Sequence, residues 1–157
     1  MLKIKIVAVG KIKDRNLKDF FGEYLKRLAP YAWIENIELE AEPFSESSDK
    51  ARIKNKEGDK IKKFLNKNLD SQIIILDERG KILDSQDFSK LIFKDESCEI
   101  IFVIGGALGL SEEILNYKNS IKLSFSKMTF LHEMTRIILV EQIFRAVAIE
   151  KNKKYHY

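Results

Sequence analysis

The chain predicts an α/β fold, with a mostly parallel sheet and helices on both faces. Three observations carry this. Strand-like and helical patterns alternate from one end to the other. Two of the strand segments, Ser71 to Leu76 and Glu99 to Ile104, are nearly continuous in apolar residues, as strands covered on both faces are. No linker, repeat or low-complexity stretch interrupts the 157 residues, so residues 1–157 read as a single domain large enough for a real core.

Residues 2–9 alternate apolar and polar side chains and end at Gly10, which reads as a strand. From Asp14 to Leu28, Leu17, Phe20, Phe21, Tyr24, Leu25 and Leu28 recur at helical spacing, and Pro30 ends the helix. Trp33 to Leu39 alternates again. Residues 41–48 read as a loop. Asp49 caps a helix to about Lys67, with a thin apolar stripe and an expected interruption at Gly58. After the strand at 71–76, residues 77–81 read as a loop and Ser85 to Phe93 as a helix. The strand at 99–104 leads to a short helix capped by Ser111. Ile121 to Phe125 is the last strand. The last helix begins near Thr129 and runs to about Glu150. It is apolar around most of its circumference, which predicts burial on several sides and one face against a second subunit.

Apolar residues make up 45% and charged residues 33%, the balance of a globular domain. No apolar run approaches the roughly 20 residues of a membrane span. The first residues alternate like a strand and lack a signal-peptide core, so a cytoplasmic location is expected. The one cysteine, Cys98, excludes an internal disulfide and a cysteine-based zinc site, and reads as a small packed residue. No metal is expected.

The net charge of +4 favours a polyanionic partner. Lys50, Arg52, Lys54, Lys56, Lys60, Lys62, Lys63 and Lys67 crowd one helix and read first as its solvated face. In the tail, Lys151, Lys153 and Lys154 adjoin Tyr155, His156 and Tyr157. Cations that neutralise phosphate, beside rings that stack on bases, suit single-stranded RNA.

Gly105-Gly106-x-x-Gly109 follows a buried strand. It is neither G-x-G-x-x-G nor a Walker loop, and Glu112 and Glu113 would oppose a phosphate. The glycines suit either close approach of a ligand to the backbone or a structural turn. Ser126-Lys127-Met128-Thr129-Phe130-Leu131-His132 leaves the next strand with small, hydroxyl and thioether residues, which suits a flat ligand such as adenine. Two such strand ends make a crevice. His132 and Arg136 are four apart on one helical face, and Glu141 and Arg145 can pair.

These residues resemble a known family. Phe102 to Gly106 with Gly109-Leu110, Ser124 to Phe130 with His132, Arg136, Glu141-Gln142, Arg145-Ala146 and Tyr155-His156 are similar to the small bacterial rRNA methyltransferases of the SPOUT superfamily, which methylate N3 of a pseudouridine in 23S rRNA. The similarity extends to Lys3-Ile4 through Lys11, Tyr24 to Pro30 and Leu76 to Lys81, and so spans the chain.

The resemblance implies a C-terminal trefoil knot, a homodimer, and S-adenosylmethionine as cofactor. By position the cofactor contacts would be Leu76, Gly105, Gly106 and Phe125, Ser126, Lys127, Met128, Thr129, Phe130 and Leu131. The catalytic set would be His132, Arg136, Tyr155 and His156, with either histidine as the base that removes the N3 proton and Arg136 or Arg145 stabilising the anion. Lys153, Lys154 and Arg145 would meet the RNA, 23S rRNA within assembled ribosomes. Leu131 stands where the family usually has proline, and Asn152 where glycine is common. The alternative reading is a non-catalytic RNA-binding or ribosome-associated protein on the same fold.

Overall fold

Five parallel strands form one sheet in the order β2-β1-β4-β3-β5. They are β1 (Leu2–Val9), β2 (Ala32–Leu39), β3 (Gln72–Ile82), β4 (Ile100–Ile104) and β5 (Ser120–Ser124). The computed structural model describes residues 1–152. The helices are α1 (Arg15–Leu28), α2 (Lys50–Leu65), α3 (Ser85–Ile92), α4 (Glu112–Leu115) and α5 (His132–Glu150). β4 lies between β1 and β3, and all five of its residues are buried. From β4 the chain passes beyond β3 to lay down β5, then returns as α5. That path is consistent with a knotted C-terminal part.

Alternate strand residues feed two cores, because successive side chains point to opposite faces. Ile4, Ile6, Ile74, Phe102 and Leu123 pack with α1, α3 and α5, whereas Val7, Val9, Ile75 and Val103 pack with α2 and α4. Asp14, Asp49, Asp84 and Ser111 cap α1, α2, α3 and α4, each accepting a backbone N–H of the first turn.

Three expectations change. Residues 77–81 are not a free loop: β3 continues to Ile82, and Leu76 and Lys81 both pair with Leu123, so Asp77 to Gly80 bulge outward. The bulge is closed by Arg79, whose backbone N–H and Nε donate to Asp77 Oδ1 at 3.0 and 2.8 Å. Gly58 does not interrupt α2. It lets α2 approach α4, since a Cβ there would lie 2.4 Å from Ser111 Oγ. The last helix begins at His132, with Leu131 as its N-cap.

The apolar circumference of α5 is largely covered within the protomer. Ile137, Leu139, Val140, Ile143, Ala146 and Val147 join the core with α1 and α3, and Ser89 Oγ donates to the Ala146 carbonyl at 3.1 Å. Met134 remains exposed, and Ile138, Phe144 and Ile149 are half-buried. Among the described residues, no helix is long and apolar enough to cross a membrane. Cys98 is half-buried.

Candidate functional site

The C-terminal ends of β3, β4 and β5 open into a crevice of about 180 Å³, closed on one side by the start of α5. Leu76, Gly105, Gly106, Phe125, Ser126, Met128, Thr129, Phe130, Leu131 and His132 all line it. Of the ten expected cofactor contacts only Lys127 does not; it is exposed. Asp77, Glu78, Ala107, Leu110 and Thr135 also line it and were not expected as contacts. Asp77 and Glu78 come from the bulge, which polar residues disguise as a loop. Thr135 is one helical turn beyond Leu131, whose carbonyl it binds through N–H and Oγ1 at 3.0 and 3.3 Å.

Local hydrogen bonds shape each wall. Ser124 Oγ donates to the Ser126 carbonyl at 2.7 Å, and the Met128 N–H donates to Ser126 Oγ at 3.0 Å, folding the β5 exit back on itself. At the β4 exit the Gly109 N–H donates to the Gly106 carbonyl at 3.0 Å, with Gly109 at φ +81°. A Cβ on Gly105 would lie 2.9 Å from the Gly109 carbonyl carbon, and one on Gly106 3.0 Å from Glu57 Oε2 and Val9 Cγ1. The turn is therefore packed from behind by Glu57 and Val9, while its front faces the crevice.

Glu57 was not anticipated. It is 5% exposed, Oε1 accepts the Glu42 N–H at 3.0 Å, and Oε2 has no partner. Burial pushes its carboxyl above the usual carboxylate range despite the Glu42 N–H and nearby Lys60. On the far side of the crevice, burial opposes ionisation of Asp77, but its bonds to Arg79 prevail and hold it below its ordinary value. Asp77 is thus held in an ion pair with Arg79, and Glu78 is the other carboxylate of that rim.

His132 lies where the crevice meets β1, and a Cβ on Gly10 would be 3.5 Å from its Nε2. Burial lowers its pKa, and the charges of Arg136 and Lys13 add to this against the opposing pull of Glu133. The imidazole is therefore neutral near pH 7. Its Nδ1 is buried without a partner.

Arg136, expected to act on the substrate, does not line the crevice. Its side chain is wholly buried; Nη1 donates to Glu38 Oε1 and Nη2 to the Gly10 carbonyl, both at 3.0 Å. It holds β1, β2 and α5 together behind the crevice. Arg145 pairs with Glu141 at 2.7 Å, as the spacing predicts. On α2, Lys60 and Lys56 pair with Glu42, and Lys62 pairs with Glu113, so part of that cationic face is locally neutralised. Lys153, Lys154, Tyr155 and His156 lie outside the described residues. Among the described residues no cluster of His, Cys, Asp and Glu is arranged to hold a metal ion.

A parallel α/β sheet with a crevice at its strand ends, walled by glycine backbone and apolar side chains, is the usual architecture of a small-ligand site. The chain belongs to the SPOUT methyltransferase family: residues 2–156 match the family model described as "Predicted SPOUT methyltransferase". It is 42% identical over 161 residues to the protein named ribosomal RNA large subunit methyltransferase H in Carboxydothermus hydrogenoformans, covering 99% of each chain. The like-named protein of Dictyoglomus thermophilum is 42% identical over 160 residues, covering 99% of this chain and 100% of that one. A solved structure of a probable methylase family protein from Haemophilus influenzae shares the fold at TM-score 0.56 and 14% identity, over 98% of this chain and 70% of that one.

Proposed function

We propose that this methyltransferase transfers the methyl group of S-adenosylmethionine to N3 of a pseudouridine in 23S rRNA, in the cytoplasm and as a homodimer. The carrying observation is the agreement between the crevice and the chain-long likeness to proteins named for methylation of large-subunit rRNA. The crevice residues fit the donor. Leu76, Leu110 and Phe125 offer apolar walls to an adenine ring, the glycine turn offers backbone at close range, and Glu78 suits the cationic sulfonium or ammonium group.

S-adenosylmethionine, when bound, supplies an electrophilic methyl group for direct in-line displacement. The protein's tasks are to align the reactants and to help remove the N3 proton, whose pKa is on the order of 9 to 10. Neutral His132 walls the crevice at the β1 side and, with His156, remains a candidate for that proton. Arg136 acts through Gly10 and Glu38, fixing the strand ends on which alignment depends. The tail residues Lys153, Lys154, Tyr155 and His156, with Arg145, position the RNA and complete the site in the dimer.

Purified ribosomes incubated with labelled donor should acquire one methyl group at a pseudouridine of 23S rRNA. RNA binding with neither donor binding nor methyl transfer would favour the non-catalytic alternative.

A further inference from the structure

The loop joining β1 to α1 is held by side chains from elsewhere in the fold. Arg136 Nη2 donates to the Gly10 carbonyl at 3.0 Å, and Glu38 Oε1 accepts the Ile12 N–H at 3.2 Å. Glu133 Oε2 accepts the N–H groups of Lys13 and Asp14 at 2.8 and 3.2 Å. Arg136 is wholly buried and Glu133 nearly so. Charged groups that deep are costly unless they are paired and hydrogen-bonded, and here their bonds converge on one short loop. Its backbone is fixed from inside.

Apart from Asp14, whose carboxylate caps α1, what it presents outward is positive charge. Lys11 and Lys13 are exposed, Arg15 and Lys18 follow on α1, and among the described residues none of the four makes an ion pair. Gly10 abuts His132, a wall of the crevice. The strand order β1-β4-β3 sets this loop on one side of the Gly105-Gly106 turn and the acidic Asp77-Glu78 bulge on the other. The crevice is thus polarised. Glu78 stands on one side of it, and the lysines of the loop stand beyond His132 on the other, where they suit a polyanion.

We propose that the 10–14 loop is a preformed phosphate-binding rim, on which Lys11 and Lys13 receive backbone phosphates of the RNA strand beside the target base. The buried Arg136, Glu38 and Glu133 keep those lysines in register with the crevice. This rests on the reading of the protein as an rRNA methyltransferase. A rigid loop lowers the ordering cost of holding a phosphate, and each phosphate neutralised adds to the salt dependence of binding.

The test is the double variant Lys11→Ala/Lys13→Ala, compared with wild type in three assays: donor affinity by calorimetry, methylation of ribosomes, and binding of large ribosomal subunits across a salt series. Donor affinity should change less than twofold, KM for the ribosomal substrate should rise roughly tenfold, and the slope of log affinity against log salt should fall by about 1.4–1.8, two phosphate contacts' worth. Lys11→Arg/Lys13→Arg should behave as wild type in all three. An unchanged salt slope overturns the proposal. So does a loss of donor affinity, which would assign the lysines to the donor's carboxylate. If wild type binds subunits but methylates nothing, the enzymatic reading fails, and the salt slope still decides the rim.

Discussion

Arg136 and Glu38 meet at 3.0 Å although 98 residues separate them in the chain. The pair joins the final helix to the edge strand β2, and the same guanidinium reaches the β1 terminus at Gly10. Removing one member of a buried ion pair strands the other. Arg136→Met should cost about 3–5 kcal/mol, measured by urea denaturation. Glu38→Gln retains an acceptor but leaves the wholly buried guanidinium without its counter-charge, so it too should lower stability.

Protonation of His132 gives the fold an acid limb. Its pKa is below the ordinary value, so the unfolded chain takes up its proton first as pH falls. Its contribution is fully present above about pH 6.5 and declines below that until the folded-state pKa is passed. Thermal melts from pH 7.5 to 5 should show a falling Tm, and His132→Gln should flatten that part of the profile.

Gly106→Ala should weaken donor binding without adding a group to the crevice. The new methyl would meet Glu57 Oε2 and Val9 from behind, pushing the turn forward at a cost of about 1–3 kcal/mol. Calorimetry should show roughly a tenfold loss of donor affinity. Glu57→Ala should partly rescue it, through coupling between neighbours.

Leu131 sits at φ −57°, close to the angle proline fixes. The proline that the resemblance leads one to expect here is therefore compatible with this local geometry. Leu131→Pro should raise stability by about 0.4–1 kcal/mol, by restricting the unfolded chain. A drop in Tm would show that the Leu131 side chain matters more than its backbone.

Deletion of residues 153–157 should abolish methylation and leave donor affinity nearly intact. Sedimentation at micromolar concentration should give twice the monomer mass for both chains, the full-length monomer being 18.3 kDa. A monomer that keeps full activity would remove the dimer from the mechanism.

The elements legible beforehand are those whose periodicity is set by the core. The even and odd residues of β1, β3 and β4 feed separate clusters, and their apolar runs announce it. The bulge at 77–80 was hidden because Asp77, Arg79 and Gly80 look like loop chemistry; only the backbone of Leu123 reveals why Gly80 is there. Glu57 was hidden for the opposite reason, since a glutamate in a lysine-rich helix reads as solvated. Arg136 was singled out, but helical spacing cannot say whether an arginine faces substrate or core. Asn152 carries its own explanation: it sits at φ +49°, where glycine is at ease and asparagine is tolerated.

The position of β4 governs how the protein can be synthesised. β1 emerges early, yet its inner edge has no partner until residues 100–104 exist, and α1 lacks its neighbour until α5 has been made. A nascent chain halted after β3 therefore displays an unpaired strand edge and an uncovered apolar helix, both invitations to aggregation. Contacts this distant in sequence slow folding. The walls of the crevice run from Leu76 to Thr135, and most of them follow Ile104, so no donor can bind until translation is nearly finished. The enzyme gains its activity only at the end of its own synthesis.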